Sequence, residues 1–212
     1  MGFDLYGMNP TINKKYPKRY DKMMKKYGNG GFLDWSKDIP ENIKEDYFEI
    51  KQQYENNNPG DYFRNNVWWW RPLWQFVCTS CHDILTDKDM EHGSYNDGHS
   101  ISKTKATRIG KRLSKLIADG TVDKVDREEA LKVAKSKAHN EIVQEQLDKI
   151  DRECKNALGD NNIAPAHYPE PFKSRWHKEY TKKQWASDYP FDKENVKDFA
   201  TFCLQSGGFE IC

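Results

Sequence analysis

A chain of 212 residues is long enough for one domain with a core of ordinary size and generous loops. Only 36% of the residues are hydrophobic and 32% are charged, yet 13% are aromatic, so the expected core uses few, large rings, and disorder throughout is excluded. The 34 Lys and Arg set against 33 Asp and Glu leave a formal charge of +1, which argues against a whole-surface pull on nucleic acid or acidic membrane and confines any basic site to a local patch.

Gly2-Phe3-Asp4-Leu5-Tyr6-Gly7 alternates large apolar residues with a carboxylate between two glycines and reads as a short buried strand. From Thr11 to Gly31 the Lys, Tyr, Asn and Gly residues show no clean period and read as a surface excursion. Pro40 suits the start of a helix in which Ile43, Tyr47, Ile50 and Tyr54 recur, closed by Asn56-Asn57-Asn58-Pro59-Gly60. Asn66 can cap a helix through Val67-Trp68-Trp69-Trp70, and Pro72 is tolerable there only near the first turn. Consecutive helical residues point about 100° apart, so the three Trp cannot share one buried face.

A short helical turn after Thr86 leads to the strong turn signal Asn96-Asp97-Gly98. Ser100 or Ser102 opens the next helix, whose apolar stripe Ile101, Ala106, Ile109, Leu113, Leu116 and Ile117 stops at Gly120. A longer helix runs from Asp126 to Leu158-Gly159, with Leu131, Ala134, Ala138, Ile142, Ile150 and Cys154 on its apolar side. Residues 159–191, rich in Pro and aromatics, read as an extended arm with a short helix around Lys178. Asp192 caps a last helix carrying Val196, Phe199, Ala200 and Cys203, and the apolar Phe209 and Ile211 beyond Gly207-Gly208 should dock on the core. The expected fold is mostly α, with room for a small β element at the N-terminus, in a single globular domain over residues 1–212.

Cys78-Thr79-Ser80-Cys81-His82 has the form of a haem attachment site or half of a zinc site. Neither a second close ligand pair among His92, His99, Cys154, Cys203 and Cys212 nor an export signal accompanies it, so no metal or cofactor is expected and the five cysteines should be reduced thiols. No apolar run reaches the roughly 18 residues of a membrane span. The Trp cluster, flanked by Arg64 and Arg71, offers rings and cations to a ligand, against a weightier reading as core. Asn96 and Asp97 before the Lys-rich helix, with Lys103 at its start, could meet an anion, against a reading of Asp97 as a simple cap. No glycine-rich phosphate loop, His-Glu-x-x-His helix or nucleophile elbow is present.

Three blocks, MGFDLYG at residues 1–7, YFRNNVWWWRPLW at residues 62–74 and YPFDKENVKDFATFCLQSGGFEIC at residues 189–212, resemble a set of uncharacterised proteins encoded mostly by tailed bacteriophages. Asn96-Asp97-Gly98 with the helix after it is similar too, whereas residues 121–186 lie outside the resemblance. The resemblance implies phage origin and a place in the host cytoplasm, in the company of accessory factors that bind a host protein or a nucleotide signal, and supplies no catalytic residues. The expectation is therefore a binding module that holds a small polar or nucleotide-like ligand, or a host protein, through Asn65, Asn66, Trp69, Arg71, Asn96, Asp97 and Lys103. The alternatives are a hydrolase or metal-assisted enzyme using Asp and His of the same cleft, and a zinc-stabilised interaction protein.

Overall fold

The structure, a computed structural model, describes residues 2–212, with Ser187 described by its backbone alone. The chain is mostly helical: 61% of it is helix, with 8 α-helices among the described residues, and a small antiparallel sheet contributes most of the 10% that is strand. Packing divides it into two compact units, one of residues up to 122 together with 193–212, the other of residues 123–192.

The first unit is built on a four-stranded sheet in the order β4-β1-β6-β5, from β1 (Gly2–Gly7), β4 (Tyr62–Asn66), β5 (His99–Ile101) and β6 (Phe209–Ile211). Alternation along β1 buries Phe3 and Leu5 while Tyr6 faces solvent, the period of a half-buried strand. Leu5 lies opposite Phe63 of β4 on one side and Ile211 of β6 on the other, and Ile101 of β5 lies opposite Phe209. The expected docking of Phe209 and Ile211 thus takes the form of an interior strand, in which both side chains are fully buried.

Two helices pack on this sheet, α3 (Val67–Ser80) and α8 (Lys193–Gln205), and α5 (Lys103–Ala118) packs on both of them. The last two cross closely because Gly110 has no side chain; a Cβ there would stand 2.9 Å from the Ala200 carbonyl oxygen. Asn66 caps α3 as expected, its Oδ1 accepting from the backbone N–H of Trp68 and Trp69. Pro72 lies in the second turn rather than the first, where its missing N–H withholds the helical bond from the Trp68 carbonyl. The three Trp diverge as helical geometry requires: Trp68 is 46% exposed, Trp69 half-buried and Trp70 fully buried. Trp70 stacks between Phe3 and Trp74, and its indole N–H donates to the Gly93 carbonyl at 2.8 Å.

The stretch from Thr11 to Gly31 is no mere excursion. Lys18–Tyr27 forms α1, followed by a minimal hairpin of β2 (Gly28–Asn29) and β3 (Phe32–Leu33). Its apolar side is supplied by Tyr20 and Met23, which join Leu33, Ile39 and the Tyr47 and Ile50 of α2 (Glu41–Asn57) in a separate small core. Tyr16 lies between the rings of Tyr20 and Tyr54, at 4.1 and 3.9 Å. Sequence period misses this helix because tyrosine, counted as half polar, carries its packing.

The long helix α6 (Thr121–Leu158) starts five residues before the expected Asp126, directly after Gly120 turns the backbone at φ +79°. In the second unit its buried line is Val143, Leu147, Ile150 and Cys154, whereas Leu131 and Ile142 are exposed, so the apolar face was misassigned over its first half. Residues 159–191 return along α6 through α7 (Phe172–Tyr180), the short helix expected around Lys178, flanked by 3-10 turns at Pro165–His167 and Trp185–Asp188. Tyr168 donates to Asp151 at 2.8 Å, Arg175 pairs with Glu153 at 2.8 Å, and Gln184 exchanges backbone bonds with the Asn140 amide.

Candidate functional site

The densest group of titratable side chains in the first unit lies where α4 (Asp87–His92), β5 and α5 meet. Thr86-x-x-Asp89 forms a capping box at the start of α4: the Thr86 hydroxyl accepts from the Asp89 backbone N–H, and the Asp89 carboxylate accepts from the Thr86 backbone N–H at 2.8 Å. His92 follows three residues after Asp89 on the same helix face. The loop beyond Gly93 then folds on Asp97, whose carboxylate accepts from the His99 backbone N–H at 3.2 Å, while Gly98 takes φ +79°. That turn delivers His99 to the start of β5, and α5, capped by Ser102, brings Lys105 back over α4.

Two carboxylate–imidazole pairs result. His99 Nε2 donates to Asp89 at 3.0 Å and His92 Nδ1 donates to Asp97 at 2.5 Å. The two imidazoles lie 5.1 Å apart and within 25° of parallel. The inner pair is nearly buried, the outer pair about one-third exposed. Because each carboxylate fixes which ring nitrogen carries a proton, the opposite nitrogens, Nε2 of His92 and Nδ1 of His99, are lone-pair acceptors when the rings are neutral and donors when they are charged. Among the described residues neither of these nitrogens has a protein partner.

Asp89 is the anchor. Burial pushes its carboxyl up, but bonds from Lys105 Nζ, the Thr86 N–H and hydroxyl, and His99 outweigh burial and hold it well below the usual carboxylate range. The bond from His92 lowers Asp97 likewise. Both acids therefore remain ionised and acceptor-only at neutral pH.

The structure brings Asn96 and Asp97 into this group but distributes the other expected residues. Asp97 does not cap α5; Ser102 does, and Asp97 serves His92 and its own turn. Asn96 Nδ2 donates to the Gly2 carbonyl, and Gly2 lies opposite Asn66, so the loop touches the end of the sheet from which α3 departs. Asn65 is buried and donates to Asn195 at 2.9 Å, and Asn195 donates in turn to the Trp69 carbonyl. Asn65 and Asn66 thus use their side chains to fix the start of α3. Arg71 is exposed on that helix. Lys103 stands exposed at the far end of β5, its backbone beside Gly208, and it is Lys105 that reaches the Asp89 carboxylate.

Asp89 and Lys105 were not foreseen in this role, and His92 and His99 were named only as possible metal ligands. The Thr86-x-x-Asp89 spacing followed by His92 was the available signal. Cys78 is half-buried and Cys81 buried, with both thiols pushed up to about 11, chiefly by burial, so neither is a ready thiolate. His82 is exposed and its Nδ1 donates to the Thr79 carbonyl at 3.2 Å. Among the described residues no three His, Cys, Asp or Glu side chains converge as metal ligands would, and no helix is long and apolar enough to cross a membrane. Compared with family models, with curated proteins and with solved structures, the chain matches none.

Proposed function

We propose that the protein is a non-catalytic binding module that holds a small polar ligand against the outward nitrogens of His92 and His99, as a phage-encoded accessory factor in the host cytoplasm. One observation carries the binding reading: two imidazoles stacked 5.1 Å apart, each locked by a carboxylate on one nitrogen and open on the other. Such a pair presents two polar points on neighbouring rings, and its orientation is set before any ligand arrives, which lowers the ordering cost of binding. The likeness of the three sequence blocks to phage-encoded proteins supports the biological half of the reading. Thermal unfolding in the presence of a panel of nucleotides, nucleosides and sugars tests it. A true ligand at about a hundred times its Kd stabilises the native protein by roughly 2.7 kcal/mol. That gain should vanish in His92→Ala and persist in Trp68→Ala. A panel without any stabilising member, or a gain untouched by His92→Ala, removes the site.

A second reading has one specific support. An imidazole oriented by a carboxylate is also the arrangement of a general base. No serine hydroxyl or thiol bonds the open nitrogen of either ring among the described residues, so the nucleophile in this reading is water. Hydrolysis of a phosphate or carboxylic ester that is lost in His92→Ala at unchanged ligand affinity would favour it.

A further inference from the structure

Charge is unevenly spread along this nearly neutral chain. Residues 14–26 hold seven of its 34 basic residues, Lys14, Lys15, Lys18, Arg19, Lys22, Lys25 and Lys26, and one of its 33 acidic ones, Asp21, so this stretch carries +6 and the remaining residues together −5. All seven side chains are exposed. Arg19 pairs with Asp46 at 3.1 Å; the other six have no carboxylate partner among the described residues. Nearby acids on the same small core are already engaged, Asp34 by Ser36 and Lys37 and Glu41 by Lys44.

A lysine-rich helix is by default a solvated face. What separates this one is the set of rings beside it. The β2–β3 hairpin leaves the C-terminal end of α1 and sets Phe32 opposite Asn29, three residues past Lys26. Phe32, Trp35 and Phe48 are 63%, 58% and 57% exposed, although Leu33 and Tyr47, chain neighbours of Phe32 and Phe48, belong to the small core. Trp35 stacks on Phe48 at 6.1 Å, and the Lys51 ammonium sits over the Phe32 ring at 5.7 Å. The hairpin tip, Gly30-Gly31, has left-handed φ angles of 58° and 90° and open space where side chains would be, so another backbone can approach it closely.

We propose that α1 and this aromatic rim form a binding face for single-stranded nucleic acid, with phosphates along Lys22, Lys25 and Lys26 and unpaired bases stacked on Trp35, Phe48 and Phe32. Exposed rings next to ammonium groups that no carboxylate neutralises suit a chain that carries π-faces and one negative charge per unit, the pairing by which single strands are held without regard to sequence. A duplex hides its base faces and can use only the lysines. The near-neutral total charge is no obstacle, because association depends on the local potential and the compensating negative charge lies elsewhere in the sequence. This face is separate from the His92–His99 site and stands or falls without it.

Fluorescence anisotropy of the full chain with a labelled thymidine homopolymer, with the matching duplex and a uridine homopolymer as further arms, provides the test. Binding to either single strand is expected, weakening roughly a hundredfold between about 50 and 200 mM salt if some five phosphates are neutralised. The triple variant K22A/K25A/K26A should flatten the slope of log affinity against log salt by about 2. Trp35→Ala should weaken binding about tenfold at every salt concentration with the slope unchanged, and Trp35→Tyr should restore most of it. Trp35 is outside every buried cluster, so both variants fold; far-ultraviolet circular dichroism verifies this. Absence of binding at low salt overturns the proposal. So does equal affinity for duplex with a silent Trp35→Ala, which would reduce the face to bare charge, and so does retention on phosphatidylserine vesicles but not on the single strands.

Discussion

Two aromatic clusters in the first unit are put to opposite uses. In α3, Trp70 and Trp74 are buried, stacked at 5.3 Å, and each indole N–H donates to a backbone carbonyl, of Gly93 and of Met90. Around α2, Trp35 and Phe48 stack at a similar 6.1 Å but stay more than half exposed, with the Lys51 ammonium over neighbouring Phe32. Ring stacking alone therefore does not distinguish core from surface. The hydrogen-bonded N–H and the closed surroundings do, since a buried indole must find an acceptor while an exposed one has water.

The contrast can be broken most severely by removing what closes over the first cluster. Truncation after Gln205 deletes β6, an interior strand, with the fully buried Phe209 and Ile211. The loss should exceed about 5 kcal/mol, with chemical denaturation expected to show no cooperative native baseline. Trp70→Ala should cost about 3–5 kcal/mol in the same assay, and Trp68→Ala under about 1. Equal costs for these two would mean that the three indoles act as one core block. Gly93→Ala sharpens the comparison from the other side: its Cβ would fall 2.1 Å from the Trp74 ring, and such overpacking costs about 1–3 kcal/mol. Trp35→Ala should change stability by no more than about 0.5 kcal/mol.

A further prediction concerns pH and reads the site rather than the rings. The Asp89 carboxyl is lowered from its ordinary 3.8, so it contributes stability that is fully present above that value and is lost as pH falls below it towards the depressed folded-state value. Melting temperature should fall more steeply below about pH 4 in the parent protein than in Asp89→Asn, which at neutral pH should itself be less stable by about 1–3 kcal/mol because Lys105 loses its partner. Parallel acid limbs for the two proteins would show that Asp89 is not held as described.

Much of the fold was legible where the cause is local. The Asn66 cap, the divergence of three successive indoles, the alternation of β1 and the Gly207-Gly208 stop each depend on residues a few positions apart. Helix α1 was not legible, because its inward line is only Tyr20 and Met23, and Tyr20 declares its burial only against Tyr47 of α2. The face of α6 was misread over Leu131 to Ile142 because a 3.6-residue period fits more than one line of small and apolar residues. Of the candidate site, the turn at Asn96-Asp97-Gly98 could be read, and its partners could not: Asp89 meets His99 and Lys105 only once the turn and β5 have brought α5 back to α4, which no local spacing announces. Lys103, attractive at a helix start, is two residues and so about 200° of helix away from Lys105, the lysine that reaches Asp89.

The pairing of β1 with β6 has a bearing on how the protein comes to exist. The amide and carbonyl of Asp4 exchange bonds with those of Cys212, so β1 is completed by a segment made long after it. Until residues 209–211 emerge, Leu5 lacks its neighbour on one side and β1 presents an open edge, an invitation to pair wrongly. During that interval the α1–α2 core, whose members all lie within residues 16–54, can already assemble from nearby contacts. Translation thus delivers the small α1–α2 core first and holds the four-stranded sheet open until residues 209–211 have been made.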